Sequence, residues 1–370
     1  MRLADYVIEF LEGQGIDHAF TVCGGGAIFL CDALAKAKKM RYVACHHEQA
    51  AAMAAEAYAR VRTGLGLAIV TSGPGGTNAI TGVAGAWTDS VPTITISGQV
   101  FSGQMIHTRA PGLRTLGVQE INIVDMVRPI TKYAAVVCDP ADIRFHLEMA
   151  VGMARSGRPG PTWLDIPADI QNAKIDPSAL HGAGLVSSAR PAPQRSDLQC
   201  VALMLQEAKR PLLHIGQGIR LSGAEQELAK FLERTGIPVV TARNGADLID
   251  SEHPLYAGRP GTFAQRGANF AVQTCDLYIA IGTRLSLAQT GYNARDYARN
   301  ATIVMVDIDR AELDKDTVWV KFPIQADARA FLVDLNAQLE GVELPDWTAW
   351  LERCKAWQAK YPPVTEDQVS

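Results

Sequence analysis

Leu67-Ala68-Ile69-Val70-Thr71-Ser72-Gly73-Pro74-Gly75-Gly76-Thr77-Asn78 is an apolar run that breaks at a Gly/Pro turn. Residues 67–71 show no polar alternation and predict a strand buried on both faces. The turn over residues 72–76 is followed by a helical pattern reaching Trp87. The same rhythm continues on both sides. Upstream, residues 18–22 predict a strand running into Gly24-Gly25-Gly26, with a helix over 27–36. Residues 42–45 predict another strand, leading into an Ala-rich helix over 49–61, and an amphipathic helix over 5–12 precedes them all. Residues 93–97 add a further apolar strand. Doubly buried strands alternating with helices indicate a parallel sheet covered on both faces. Such sheets bind ligands beyond the carboxyl ends of their strands, where both glycine turns sit.

The 370 residues allow two or three domains. The expected class is α/β, with two doubly wound, mainly parallel-sheet domains. The first covers residues 1–175, and a polar stretch over 176–195 with Pro177, Pro191 and Pro193 is the expected linker. A second, Rossmann-like unit over 196–340 has predicted strands at 211–215, 237–240, 277–281 and 302–306 and an amphipathic helix over 222–234. Residues 341–370, with Trp347, Trp350 and Trp357, read as a C-terminal helix and polar tail.

A formal net charge of -4 gives no electrostatic reason to expect a nucleic-acid or anionic-membrane partner. No apolar run reaches the roughly 18–20 residues that span a bilayer, and the first residues lack an apolar signal-peptide core. A cytoplasmic location is expected. The seven cysteines are scattered without a C-x-x-C pair, so reduced thiols are expected and neither a zinc site nor a thioredoxin-like motif is available. Cys23, beside the glycine turn but without an adjacent base, reads as a small buried residue.

His46-His47-Glu48-Gln49-Ala50-Ala51 lies at a strand-to-helix junction. Taken alone, Glu48 is explained by the helix dipole, which favours a carboxylate in the first turn. Residue 51 is Ala, so the H-E-x-x-H zinc motif is not present. The turn over 72–78 is not a P-loop, since no Gly-Lys-Ser/Thr follows.

The order of the motifs is more specific than any one of them. Gly24-Gly25-Gly26 precedes His47-Glu48-Gln49, then Ala55-Glu56-Ala57-Tyr58-Ala59-Arg60, Ser72-Gly73-Pro74-Gly75-Gly76-Thr77-Asn78, Asp89-Ser90-Val91-Pro92, Ser97-Gly98-Gln99, Gln119-Glu120 and Arg158-Pro159-Gly160-Pro161. This succession resembles the pyrimidine-binding (Pyr) and central domains of acetolactate synthases and related thiamine diphosphate (ThDP) enzymes, over residues 1–345. The resemblance implies that Glu48 hydrogen-bonds N1′ of the cofactor's aminopyrimidine and favours the tautomer that takes the proton from thiazolium C2. A carboxylate at a dry helix end suits that role. It further implies that Gly24, Gly25, Gly26 and His47 flank the aminopyrimidine, that Ser72, Gly73, Pro74, Gly75 and Asn78 pack under it, and that Gln119 lies near the substrate. The implied chemistry is decarboxylation or carboligation of a 2-oxoacid such as pyruvate.

In acetolactate synthases the central domain binds FAD. Gly216-Gln217-Gly218, Gly258-Arg259-Pro260-Gly261-Thr262, Gly282-Thr283-Arg284 and Asp307-Ile308-Asp309 lie where nucleotide contacts would fall, although Asp309 equally suits a helix cap near Ala311. Leu221 stands where a dinucleotide fingerprint has its third glycine. The family's third domain carries a Gly-Asp-Gly segment and an Asn that hold Mg²⁺ and, through it, the diphosphate; Gly-Asp-Gly does not occur in these 370 residues. The expectation is a chain inactive alone: a portion of a longer enzyme, or one half of a split enzyme completed by a separate diphosphate-binding subunit, with homo-oligomerisation implied. The alternative is a non-catalytic nucleotide- or partner-binding module on the same fold.

Overall fold

The computed structural model describes residues 1–106, 112–184 and 190–364. The chain divides into two compact units, Met1–Ser188 and Ala189–Ser370, with the division inside the expected linker.

In the first unit the strands are β1 (His18–Thr21), β2 (Arg41–Ala44), β3 (Gly66–Val70), β4 (Thr93–Gln99), β5 (Tyr133–Val136) and β6 (Thr162–Pro167). Its helices are α1 (Leu3–Gly13), α2 (Ile28–Ala35), α3 (Glu48–Arg62), α4 (Pro74–Asp89), α5 (Ile123–Val127), α6 (Ile143–Arg155) and α7 (Ala168–Asn172). The strands form one parallel sheet in the order β2-β1-β3-β4-β6-β5. On one face, Leu3, Val7 and Leu11 of α1, Leu30 and Leu34 of α2 and Leu147 of α6 pack on Leu67, Ile69, Ile94 and Ile96. On the other, Ala52, Ala79, Val83, Ile123 and Val127 pack on Val70 and Trp163. Side chains alternate across a strand, so the apolar run of β3 feeds both cores.

The chain leaves β1 towards one edge of the sheet to form β2, then crosses back to form β3 on β1's other side. The carboxyl ends of β1 and β3 therefore make the topological switch point, where an open α/β sheet leaves a crevice.

Helices α3 and α4 both start near this crevice and pack closely. A Cβ on Gly82 would lie 2.5 Å from the Cβ of Ala52, so small residues set the approach. Arg60 of α3 pairs with Glu56 on its own helix and, at 2.6 Å, with Asp89 at the end of α4. The neighbouring carboxylates hold its guanidinium above its ordinary pKa, against the opposing effect of burial.

In the second unit β7 (Pro211–Ile215), β8 (Val239–Thr241), β9 (Leu277–Ile281), β10 (Thr302–Asp307) and β11 (Phe322–Gln325) form a parallel sheet in the order β11-β10-β9-β7-β8. Around it lie α8 (Arg195–Glu207), α9 (Gly218–Ser222), α10 (Glu225–Thr235), α11 (Arg266–Thr274), α12 (Leu287–Thr290), α13 (Arg310–Asp314), α14 (Ala328–Gln338) and α15 (Thr348–Lys360). The helix expected over 222–234 is α10, and it starts later. Gly223, at φ +69°, ends the short α9 in a left-handed cap before it. The segment from Val342 to Trp357 packs into this unit's core rather than standing apart from it. Trp347, Trp350 and Cys354 are buried in it, and the indoles of Trp347 and Trp350 donate to the carbonyls of Ala208 and Pro211, each at 2.9 Å. Strands β5, β6 and β11 were not anticipated.

The packing of α4 on α3 separates two glycines of one helix. Gly82→Ala is expected to cost about 1–3 kcal/mol, because its methyl must displace Ala52. Gly85→Ala, with no atom within 4 Å of the added Cβ, should be neutral or stabilise by up to about 1 kcal/mol. Urea unfolding followed by circular dichroism separates the two; equal effects would contradict this packing.

Candidate functional site

The β1/β3 crevice brings together residues from four segments. After β1, Gly24 is extended and residues 25–27 form a single 3₁₀ turn into α2. After β3, Thr71 and Ser72 lead to Gly73 (φ +59°, ψ -117°), a conformation L-residues rarely adopt, and Pro74 opens α4 at its first position. The two turns touch. A Cβ on Gly24 would lie 2.5 Å from Thr71 Cβ, and one on Gly26 would lie 2.7 Å from Ser72 Oγ. The Gly26 N–H donates to Thr71 Oγ1 at 3.1 Å. Gln171, fully buried on α7, fixes the same turn by donating to the carbonyls of Gly26 and Ile166, both at 2.7 Å.

Glu48 is the first residue of α3, at the positive end of the helix dipole. His47 caps this helix: its backbone is extended and its Nδ1 accepts from the Gln49 N–H at 3.1 Å. Asn78, one turn into α4, donates from Nδ2 to Glu48 Oε2 at 2.9 Å. A Cβ on Gly75 would fall 2.7 Å from Thr71 Cγ2, so this glycine sets the approach of α4 to the turn, and it borders Glu48 Oε1 at an ordinary contact distance of 3.5 Å. Among the described residues, Oε1 makes no hydrogen bond. Glu48 itself is half-buried in this chain rather than shut off from water.

Gln119 joins the site through its backbone. It sits at φ +56°, and its carbonyl lies where a Cβ on Gly73 would fall. Its side chain is exposed. The neighbouring Glu120 is buried and accepts from the backbone N–H of Ile106 at 2.5 Å, Leu116 at 3.3 Å and Gly117 at 3.4 Å, which shapes the loop carrying Gln119. Glu48, Asn78, Gly73, Gly75 and Gln119 are thus neighbours. Gly24, Gly25, Gly26 and Ser72 line the adjoining turn pair, and Pro74 and His47 serve the two helix starts.

Sequence reasoning missed a buried polar network next to this site. The Asp165 carboxylate accepts from Ser97 Oγ at 2.6 Å and from Gln99 Nε2 at 3.0 Å; Ser97 Oγ in turn accepts from Trp163 Nε1 at 2.8 Å. Gln99 Nε2 also reaches the Ile121 carbonyl at 3.1 Å, two residues beyond Gln119. Burial pushes the Asp165 carboxyl up to about 7, although the bonds from Ser97 and Gln99 hold it down. The one sequence signal was an aspartate inside an otherwise apolar stretch over residues 162–167.

The second unit has its own switch point between β7 and β9. Gly218 meets Gly282 backbone to backbone there, a Cβ on Gly218 falling 2.6 Å from Gly282 Cα. Asp309 caps α13 through the Ala311 N–H, as the helix-cap reading expected. Arg284 lies 3.7 Å from Glu312. His214 is fully buried and bonded to the Tyr278 hydroxyl, which meets that of Tyr297 at 2.7 Å; burial pushes the imidazole down to about 3, so it stays neutral.

Comparison with known proteins adds to this geometry. Residues 1–124 match the family described as "Thiamine pyrophosphate enzyme, N-terminal TPP binding domain", and residues 198–335 match "Thiamine pyrophosphate enzyme, central domain". The chain is 37% identical over 375 residues to an acetolactate synthase large subunit of Corynebacterium glutamicum, covering 100% of this chain and 58% of that protein. It is 36% identical over 359 residues to a probable acetolactate synthase large subunit of Methanocaldococcus jannaschii, covering 95% and 58%. Against the acetolactate synthase isozyme 2 large subunit of Escherichia coli K12 the identity is 34% over 362 residues, covering 98% and 64%. The chain therefore spans less than two-thirds of the length of these relatives.

Asp165 makes stability depend on pH in a defined direction. The folded state keeps the proton up to about pH 7, whereas an unfolded Asp releases it near about 3.9. Between those values the unfolded chain binds fewer protons, so the contribution falls as pH rises, by up to about 1.4 kcal/mol per unit. Asp165→Asn lacks this term. Its unfolding free energy relative to wild type should rise between about pH 4.5 and 7, measured by urea titration; a pH-independent difference would contradict the assignment.

Proposed function

Because this chain belongs to the thiamine pyrophosphate enzyme family, matching its N-terminal and central domains, we propose that the β1/β3 crevice seats the ThDP aminopyrimidine in an acetolactate synthase-like enzyme. The observation that carries this reading is the Glu48–Asn78 pair beside the two glycine turns. One carboxylate oxygen is engaged by Asn78, and the other makes no hydrogen bond among the described residues. Gly25 has no atom within 4 Å of where its side chain would be, so a flat ring meets backbone there rather than side chains. These features fit an aminopyrimidine.

In this reading Glu48 offers Oε1 to the ring nitrogen N1′ and exchanges a proton there. Asn78 restrains Oε2 and so aims the carboxylate, while the glycine turns hold the ring's faces and exclude water from them. When bound, ThDP supplies the thiazolium that accepts the electron pair released as a 2-oxoacid loses carbon dioxide. Gln119, exposed next to Gly73, would contact that 2-oxoacid, for which pyruvate is the leading candidate. Mg²⁺ and the diphosphate would be held by a further domain, in a longer form of this chain or in a separate subunit. The active species would be an oligomer, and its location cytoplasmic. For the second unit we propose FAD at the β7/β9 switch point, supported by position in the sheet and by the similarity to acetolactate synthases.

The test is carbon dioxide release from pyruvate with ThDP and Mg²⁺, by this chain alone and with a diphosphate-domain polypeptide added. Activity is expected only in the mixture. Glu48→Gln should lower its kcat about 10²–10⁴-fold, in the range of general acid–base contributions, and Asn78→Ala about 10–100-fold. Silence across a panel of 2-oxoacids, with both polypeptides folded, would favour the non-catalytic module. Visible absorbance after reconstitution with FAD tests the second unit, and a colourless protein would remove flavin from this account.

A further inference from the structure

Helix α7 follows β6 without a loop and so stands at the carboxyl end of the first sheet. Its five residues are too few to be helical on their own, and Ile170 fastens it into the core formed with α1 and α2. Its polar side chains reach two different segments. Gln171 is fully buried; its Nε2 donates to the carbonyls of Gly26 and Ile166, and its Oε1 accepts from the Leu30 N–H at 3.4 Å. Gly26 is thereby held through both of its backbone groups, the N–H by Thr71 and the carbonyl by Gln171. Gly98 of β4 backs onto the same carbonyl, since a Cβ there would fall 2.1 Å from its oxygen. Asp169 reaches the other way. Its Oδ1 accepts from the Ser102 N–H at 2.8 Å and its Oδ2 from the Ser102 hydroxyl at 2.5 Å. Ser102 opens the 3₁₀ turn that follows β4. Four residues on, the Ile106 N–H is held by Glu120, the neighbour of Gln119.

We propose that Gln171 and Asp169 are positioning residues that brace the two sides of the β1/β3 site from one short helix. Gln171 sets the glycine turn that meets the cofactor ring. Asp169 sets the segment that leads, through Ile106 and Glu120, to the loop carrying Gln119, on the side of the 2-oxoacid. Gln171 has no exposed surface and acts only through the groups it bonds, and Asp169 acts through Ser102. Removing either side chain leaves backbone groups without their partners, so the damage appears first in the segment that side chain holds. The two arms end on separate segments, and their effects are therefore separable. What each arm serves rests on the aminopyrimidine reading of this crevice; the arms themselves do not.

The experiment compares Gln171→Met and Asp169→Ala with wild type in thiamine affinity, by calorimetry on this chain, and in pyruvate kinetics of the mixture with a diphosphate-domain polypeptide. Gln171→Met should weaken thiamine binding about tenfold, the worth of one hydrogen bond, and leave KM for pyruvate within about twofold. Asp169→Ala should do the reverse, raising KM for pyruvate about tenfold with thiamine affinity within about twofold. Asp169→Asn can still accept from the Ser102 N–H and donate to its hydroxyl, and should recover most of the loss. Should Gln171→Met not fold, Gln171→Glu, of the same shape with at most one donor, replaces it with the same direction expected. Hydrogen exchange without ligand reads the arms directly: Gln171→Met should speed exchange over residues 26–30 and Asp169→Ala over residues 102–106. Equal losses in both assays from both variants, or exchange that rises in neither segment, would overturn the brace. Wild type that binds no thiamine would instead count against the aminopyrimidine seat, with the exchange pattern still deciding whether the arms exist.

Discussion

At the β1/β3 switch point two turns approach until no side chain fits between them. Gly24 and Gly26 lie against Thr71 and Ser72, and the Gly26 N–H spends its one hydrogen bond on Thr71. This contact fixes where α2 and α4 begin. Because α4 also lies tightly on α3 at Gly82 and Ala52, the contact determines where Asn78 stands relative to Glu48. Any side chain inserted at Gly24 would part the turns and carry Asn78 away with its helix. The chemistry proposed for Glu48 is thus a consequence of backbone packing among small residues, set up well before any ligand arrives.

Around this contact the protein places buried carboxylates that order its neighbouring segments. Glu120 gathers three N–H groups of the loop before it. Among the described residues Asp165 has no cation as a hydrogen-bonding neighbour and relies on Ser97 and Gln99, and Gln99 passes that order on to Ile121. A fully buried carboxylate with neutral donors only is costly to keep ionised. It earns its place by holding the carboxyl ends of β4 and β6 in register with the segment that carries Gln119. Rigid support behind an exposed residue is what positions such a residue accurately.

Much of this could be read in the sequence because the relevant signals are local. Continuous apolar runs mark β1, β3, β4, β7, β9 and β10, the two glycine turns follow β1 and β3, and Glu48 follows β2. The strands that escaped notice lack that signature: β5 is half-buried throughout, β6 carries Asp165 at its centre, and only one residue of β11 is fully buried. What the chain could not declare were pairings between distant segments. Asn78 and Glu48 are thirty residues apart, and each was identified without the bond between them. Asp165 lies 68 residues from Ser97. Cys23, expected to be buried, is instead exposed beside the first glycine turn. Likewise the C-terminal tryptophans read as an appendage, whereas the indoles of Trp347 and Trp350 bond to Ala208 and Pro211 at the entry to β7.

The central claim is that Glu48 meets N1′ of an aminopyrimidine seated between the two turns. The most direct measurement compares the affinity of this chain for thiamine with that for its 1′-deaza analogue, in wild type and in Glu48→Ala, by calorimetry. The account predicts that wild type prefers thiamine by about tenfold, the worth of one charge-assisted hydrogen bond, and that Glu48→Ala does not discriminate. Equal binding of the two compounds by wild type, or an undiminished preference in Glu48→Ala, would contradict it.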